Sequence, residues 1–172
     1  MAGLRSRSGF WMEATIEVTE TNPKGLPKTV KEKYVVEAAT FIDGEERIRK
    51  ELNYANRPIK NVSGMARPKY GEICFSDDTA AENWYKAKVV TQDEVNVRTR
   101  KGGTRTKIKS VSHYYLIQSD SNENARKAIA DEIYKSSNED YEVADVVKTR
   151  ILDVLEFEKH LKSSEEKKEN AK

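Results

Sequence analysis

At 172 residues, with 37% hydrophobic and 35% charged residues, the chain has room for one domain or two small ones. No apolar run approaches the roughly 20 residues of a bilayer span, the opening MAGLRSRSGFW lacks the apolar centre of a secretory signal, and the single cysteine, Cys74, excludes an internal disulfide, so a cytoplasmic protein is expected. The net charge of +2 conceals an asymmetry: six of the 31 Lys and Arg lie in residues 95–109, leaving 25 against 29 Asp and Glu elsewhere.

Residues 1–9 are expected to be flexible. Residues 11–19 alternate well enough for a half-buried strand. NPKGLPK breaks regular structure at Pro23, Gly25 and Pro27, and residues 30–38 return as a second strand. Thr40 is placed to cap a helix, with Asp43 as an acidic stand-in for the capping-box glutamate. Ile48 and Leu52, four apart, mark the buried face of that helix. Pro58 ends it, because the residue before a proline is biased toward extended backbone. Strands over 59–65 and 69–75 follow, then the connecting SDDTAAEN.

The second stretch has the same order. Residues 84–97 and 104–118 predict a long hairpin, Ser121 caps a helix through about 134 with Ala125, Ile129 and Ile133 inward, and strands over 141–147 and 150–155 close it. From Glu156 the chain is balanced in charge and poor in apolar residues, as a frayed helix end or a disordered tail would be.

This order reads as an internal duplication. Trp11, Ala14 and Ile16 match Trp84, Ala87 and Val89. Val30, Tyr34 and Val36 fall on Val111, Tyr115 and Ile117 at a constant offset of 81, which also carries Thr40 onto Ser121, Ile48 onto Ile129 and Leu52 onto Ile133. The expected fold class is α+β, a tandem strand-strand-helix-strand(-strand) unit with antiparallel sheets, one helix per repeat and a protruding basic β-hairpin. The repeats are expected over 10–77 and 83–157, with a linker over 78–82 and a charged tail over 158–172.

At Trp11, KEKYVVEAATFIDGEERI (residues 31–48), YGEICF (70–75), WYKAKV (84–89) and DYEVADVVKTRILDVLE (140–156), the chain resembles a small uncharacterised domain family common in gut bacteria and their phages. The similarity covers roughly residues 10–157. The resemblance carries no activity and no catalytic residues. It implies a cytoplasmic or phage-encoded accessory protein near DNA metabolism.

The stretch VNVRTRKGGTRTKIK (95–109) has six basic residues and no acidic one. With Gly102 and Gly103 in the two central turn positions, Arg100 faces Arg105, Arg98 faces Lys107 and Asn96 faces Lys109 on one side. Val97–Ile108 and Thr99–Thr106 fall on the other. Like charges directly opposite destabilise a sheet by up to ~1 kcal/mol per pair, which predicts an external polyanion that relieves the repulsion. The two-residue strand repeat of ~6.6 Å is also commensurate with the roughly 6–7 Å phosphate spacing of a single strand. Arg98, Arg100, Lys101, Arg105, Lys107 and Lys109 are therefore the candidate phosphate contacts. Tyr114, beside the hairpin base, is the candidate for base stacking. Tyr115, which aligns with Tyr34, is assigned to the core, as are Trp11 and Trp84. Two other readings of the cations stand beside this one: protection of an exposed strand edge and docking on an acidic protein.

No catalytic constellation is found. His113 reads as an ordinary strand histidine, and His160 lies in the tail. Cys74 reads as a buried small hydrophobe. Cysteine and histidine spacing for zinc is absent, and Lys101-Gly102-Gly103-Thr104 in a hairpin is no phosphate cradle. Asp77-Asp78 and Glu45-Glu46 read as solvated charges. No metal ligand, catalytic residue or cofactor is assigned. The leading expectation is a non-enzymatic nucleic-acid-binding accessory protein favouring single-stranded DNA, with no membrane partner and self-association left open. The alternative is a phage-related structural or regulatory interaction module whose basic hairpin docks on an acidic protein partner.

Overall fold

The computed structural model describes residues 3–57, 59–135, 137 and 139–157. The chain runs through β1 (Leu4–Ser8), β2 (Trp11–Thr21), β3 (Pro27–Glu37), α1 (Phe41–Tyr54), β4 (Ile59–Ala66), β5 (Glu72–Ser76), β6 (Asn83–Arg98), β7 (Thr104–Ser119), α2 (Asn122–Ala128), β8 (Tyr141–Lys148) and β9 (Ile151–Leu155). Among the described residues this is a mixed α/β structure, mostly strand, with two sheets. None of the described helices is long and apolar enough to cross a membrane. Pro58, expected to end the first helix, and the tail over 158–172, with His160, lie outside the described residues.

Local chemistry starts both helices where expected. Thr40 Oγ1 accepts the Asp43 N–H at 3.2 Å, and Ser121 Oγ accepts the Asn124 N–H at 3.2 Å. Asp43 sits in the first turn of α1, where its charge meets the helix dipole favourably. The second helix is shorter than expected, because α2 widens into a π-helical turn over Ile129–Ile133. Ile129 stays buried and Ile133 still packs on the core.

The chain divides into two compact units, and the division does not follow the sequence order. Unit one holds the described residues of Met1–Ser8 and Glu72–Thr149; unit two holds those of Gly9–Gly71 and Arg150–Lys172. In unit one the strand order is β1-β5-β7-β6-β8. Tyr85, Ala87 and Val89 of β6, Tyr115 and Ile117 of β7, Cys74 of β5 and Val146 of β8 pack with Ala125, Ile129 and Tyr134. Tyr134 stacks on Tyr141 at 4.4 Å and its hydroxyl meets that of Tyr115 at 3.1 Å. On the sheet's other side Phe75 and Trp84 meet edge to face at 5.6 Å.

In unit two the order is β4-β2-β3-β9. Ala14, Ile16 and Val18 of β2 and Tyr34 of β3 pack under Ile48 and Leu52 of α1, so the four-residue spacing does mark that helix's buried face. Trp11 and Trp84 are both buried, as assigned.

Three expectations change. The strand expected to close residues 10–77, β5, belongs to unit one, where it runs parallel to β7 with Glu72 opposite Tyr115 and Cys74 opposite Ile117. The strand expected to close residues 83–157, β9, belongs to unit two, parallel to β3 with Asp153 opposite Tyr34 and Leu155 opposite Val36. Parallel pairing is made through long connections, so a five-residue apolar run carries no signal of which sheet it joins. Residues 4–8, expected to be flexible, form β1 against β5, with Leu4 opposite Ser76 and Ser8 opposite Glu72. The Arg5 guanidinium lies 4.4 Å over the Phe75 ring. LRSRS shows no apolar alternation because it is an edge strand held by backbone pairing.

Candidate functional site

β6 and β7 form the expected long hairpin, paired without interruption from Asn83 opposite Ser119 to Arg98 opposite Thr104. Flanking strands cover only its base: β8 pairs with β6 from Tyr85 to Thr91, and β5 pairs with β7 from Tyr115 to Ile117. Beyond them, residues 92–110 form a two-stranded ribbon along which no third strand pairs among the described residues. Residues 92–98 and 100–110 are exposed.

The turn corrects the expected register. Only Gly102 has a left-handed backbone, with φ 81°. Its N–H donates to Thr99 O at 3.0 Å, and the Thr99 N–H donates to Gly103 O at 2.7 Å. The loop therefore has three residues, Arg100, Lys101 and Gly102, in the geometry of a type I turn followed by a left-handed residue. The Thr99 hydroxyl reinforces it, donating to Gly103 O at 3.0 Å and accepting the Gly103 N–H at 3.1 Å. Sequence spacing did not reveal this clasp, although a threonine four residues before a glycine is the type of side chain that makes one.

The longer loop shifts the pairing by an odd number of residues and so exchanges faces. Arg105 stands opposite Val97, Lys107 opposite Val95, Lys109 opposite Asp93, and Arg98 opposite Thr104. Cross-strand bonds fit this register: Thr106 Oγ1 to Asn96 Oδ1 at 3.2 Å, and Ser110 Oγ to Gln92 Oε1 at 3.3 Å. No cation of the ribbon opposes another, so the repulsion expected from Arg100–Arg105 and Arg98–Lys107 does not arise. The cations are also not gathered on one side. By strand alternation Arg105, Lys107 and Lys109 share the face of Tyr115 and Ile117, Arg98 lies on the opposite face, and Arg100 and Lys101 sit in the turn.

What the structure brings together is a row of three. Arg105, Lys107 and Lys109 follow one another along β7 at intervals of ~6.6 Å. Beside them on β6 stand Val95 and Val97, each 40% exposed. None of the six ribbon cations makes an ion pair or side-chain hydrogen bond with a described residue. Tyr114 does not join the row. It is half-buried opposite Lys88, on the face that carries Arg98. Tyr115 is buried as assigned.

The remaining candidates have local roles. His113 is half-buried with Nε2 3.0 Å from the Thr91 hydroxyl. Cys74 is fully buried, and burial pushes its thiol up to about 12, so it stays protonated and unreactive near neutrality. Asp78 Oδ1 accepts the Ala80 N–H at 2.9 Å as a turn cap, and Glu45 pairs with Arg49 at 2.9 Å. Among the described residues no group of three or more His, Cys, Asp or Glu is placed to hold a metal ion. One polar cluster escaped the sequence reading. The buried Glu32 accepts from the Tyr34 hydroxyl at 2.8 Å and from Arg57, which also reaches Tyr34 and Glu20. Burial, then the bond to Glu32, raises the Tyr34 hydroxyl above its ordinary value. The i, i+2 placement of Glu32 and Tyr34 on one strand was the available signal; Arg57, 23 residues beyond Tyr34, was not foreseeable from spacing.

Fold and surface together define a mixed α/β protein with two sheets and a long, cation-bearing ribbon. The chain belongs to the family described as a domain of unknown function (DUF4494), which matches residues 10–157. No curated protein and no solved structure matches the chain.

Proposed function

We propose that this is a non-enzymatic nucleic-acid-binding accessory protein, cytoplasmic and favouring single strands, whose ribbon contacts phosphates. The observation that carries the reading is the set of six exposed cations with no partner among the described residues, three of them in a row on β7. Holding Arg105, Lys107 and Lys109 in line along an extended strand pre-sets their spacing, so little order is lost when a polyanion lies along them. The contacts follow the backbone and read no sequence. Val95 and Val97 border the row and offer apolar surface to sugars or bases, which takes the place of the stacking first assigned to Tyr114. The balance of unit one agrees with an arm of this kind: outside residues 95–109 it holds 8 Lys and Arg against 14 Asp and Glu.

We also read the chain as a tandem duplication. The parallel pairs support it, since Tyr34 with Asp153 and Tyr115 with Glu72 differ by 81 in both members. So does the shared strand order, β4-β2-β3-β9 beside β8-β6-β7-β5.

The test is retention of labelled oligonucleotides at about 50 mM salt, with single-stranded DNA, duplex DNA and RNA compared. Binding should fall with salt at a log–log slope between about −1.4 and −2, for two or three phosphates of a single strand neutralised, the smaller value where Asp93 offsets Lys109. The triple substitution Arg105→Ser, Lys107→Ser, Lys109→Ser should weaken it at least ~10-fold while leaving the melting temperature nearly unchanged, since these exposed side chains make no ion pair or side-chain hydrogen bond with a described residue. Absence of salt-sensitive binding by the unaltered protein overturns the proposal. The second reading, docking on an acidic protein, is favoured by Val95, Val97 and Ile108, the last 65% exposed; it would then be pursued by pull-down.

A further inference from the structure

Each unit is finished by a strand from the other half of the chain. β5 follows β4 of unit two along the chain but fills the edge of β7 in unit one, and β9 follows β8 of unit one but fills the edge of β3 in unit two. Residues 3–76 therefore hold β5 with β1 but lack β7 on its other side, and residues 83–157 lack β3, the neighbour of β9, until the halves meet. The exchanged strands are apolar and well buried: Ile73 and Cys74 are fully buried in β5, and Ile151 and Val154 are nearly so in β9. Left alone, β3 and β7 would each present an open hydrophobic edge, the surface most prone to accept a strand from elsewhere.

The connection between the halves is short and locally held. Residues 77–82 make turn bonds among themselves, Ala81 N–H to Asp78 O at 3.1 Å and Glu82 N–H to Ala80 O at 3.0 Å. β5 and β6 flank β7 on opposite sides. Asn83 stands opposite Ser119, and Ser76 N–H reaches Gln118 Oε1 at 3.1 Å. The two ends are thus two strand spacings apart, about 10 Å.

We infer that the complementary half of a second copy can complete either half of this chain, with residues 77–82 as the hinge of a reciprocally exchanged dimer. Within one chain the halves meet at the high effective concentration of a short linker, which keeps the monomer dominant in dilute solution. Every strand pair is the same in both forms, so the hinge alone decides between them. The inference does not depend on what the ribbon binds.

Shortening the hinge tests it. Deleting residues 78–82 from the full chain leaves one residue between Ser76 and Asn83, which reaches at most ~7 Å and cannot span about 10 Å. The variant should run as a particle of twice the chain mass with native circular dichroism; a folded monomer would overturn the inference. Should that variant fail to fold, the full chain with a protease site inserted after Thr79 decides the matter. Light and isotope-heavy preparations, cleaved and refolded together from denaturant, should give particles of which half pair fragments of different origin by native mass spectrometry. Fragments that separate without denaturant, or that never pair across preparations, would overturn it.

Discussion

The two hairpins, β2–β3 and β6–β7, treat their charges in opposite ways. At the tip of β2–β3 acids face bases, with Glu17 opposite Lys31 and Glu20 opposite Lys28. Its loop is clasped by Asn22, whose Oδ1 accepts the N–H groups of Lys24 and Leu26 at 2.9 Å each, and Gly25 takes φ 77°. In the β6–β7 ribbon only Lys109 has an acid opposite, Asp93, while Arg105 and Lys107 face valines. Both turns are closed by a side chain and a left-handed glycine, so turn chemistry does not separate them. What separates them is that one sets acids opposite bases and the other leaves most of its bases opposite neutral residues. An unmatched charge on a short exposed ribbon adds little to folding, and its influence goes outward.

The largest expected effect divides the long hairpin itself into scaffold and arm. Ile117 and Ile108 lie on the same strand nine residues apart, the first fully buried and the second 65% exposed. Ile117→Ala should destabilise the protein by about 2–5 kcal/mol, through lost burial and the cavity left behind. Ile108→Ala should stay within ~0.5 kcal/mol. Urea unfolding of both variants measures the contrast. Equal losses would mean that the ribbon belongs to the cooperative core and is no free arm.

A smaller effect distinguishes the observed turn from a two-residue type I′ Gly-Gly turn, in which both glycines would need positive φ. Gly102→Ala places a side chain at φ 81° and should cost about 1 kcal/mol, lowering protection of the Thr99 amide roughly fivefold in hydrogen exchange. Gly103→Ala meets only the Thr99 hydroxyl at 3.3 Å, without a backbone penalty, and should cost less. Equal effects would restore the two-residue turn and, with it, the opposed arginines.

That turn marks where the sequence stopped being legible. Caps at Thr40 and Ser121, the Ile48–Leu52 face and the burial of Trp11 and Trp84 were readable because each depends on local spacing or on alternation against a core. The ribbon carries no core of its own, so its register follows from the buried base with which it pairs without interruption, and a Gly-Gly pair read locally fits more than one loop. The destinations of β5 and β9 were hidden for another reason. Alternation records that a strand is buried, whereas its partner is chosen by contacts 43 residues away in one case and 118–119 in the other. Six cations could be counted from the sequence, and Arg105, Lys107 and Lys109 share a face of β7 in either register; what the turn decided is which residues stand opposite them.

The smallest effect bears most directly on the contrast between the hairpins. Glu17→Gln and Asp93→Asn each remove the acid opposite a lysine, Lys31 in one hairpin and Lys109 in the other. Both pairs sit on or near solvent, so each change should alter stability by no more than ~0.5 kcal/mol. Their effect on oligonucleotide retention should differ. Asp93→Asn extends the uncompensated row on β7 from Arg105 and Lys107 to Lys109, and should steepen the log–log salt slope by up to ~0.7, the value for one more neutralised phosphate of a single strand. Glu17→Gln adds the same unit of net charge in unit two and should leave the slope unchanged, because steering by total charge does not create a phosphate contact. If both substitutions strengthened binding equally, the partner would be responding to net charge alone, and the spacing of Arg105, Lys107 and Lys109 would lose its meaning.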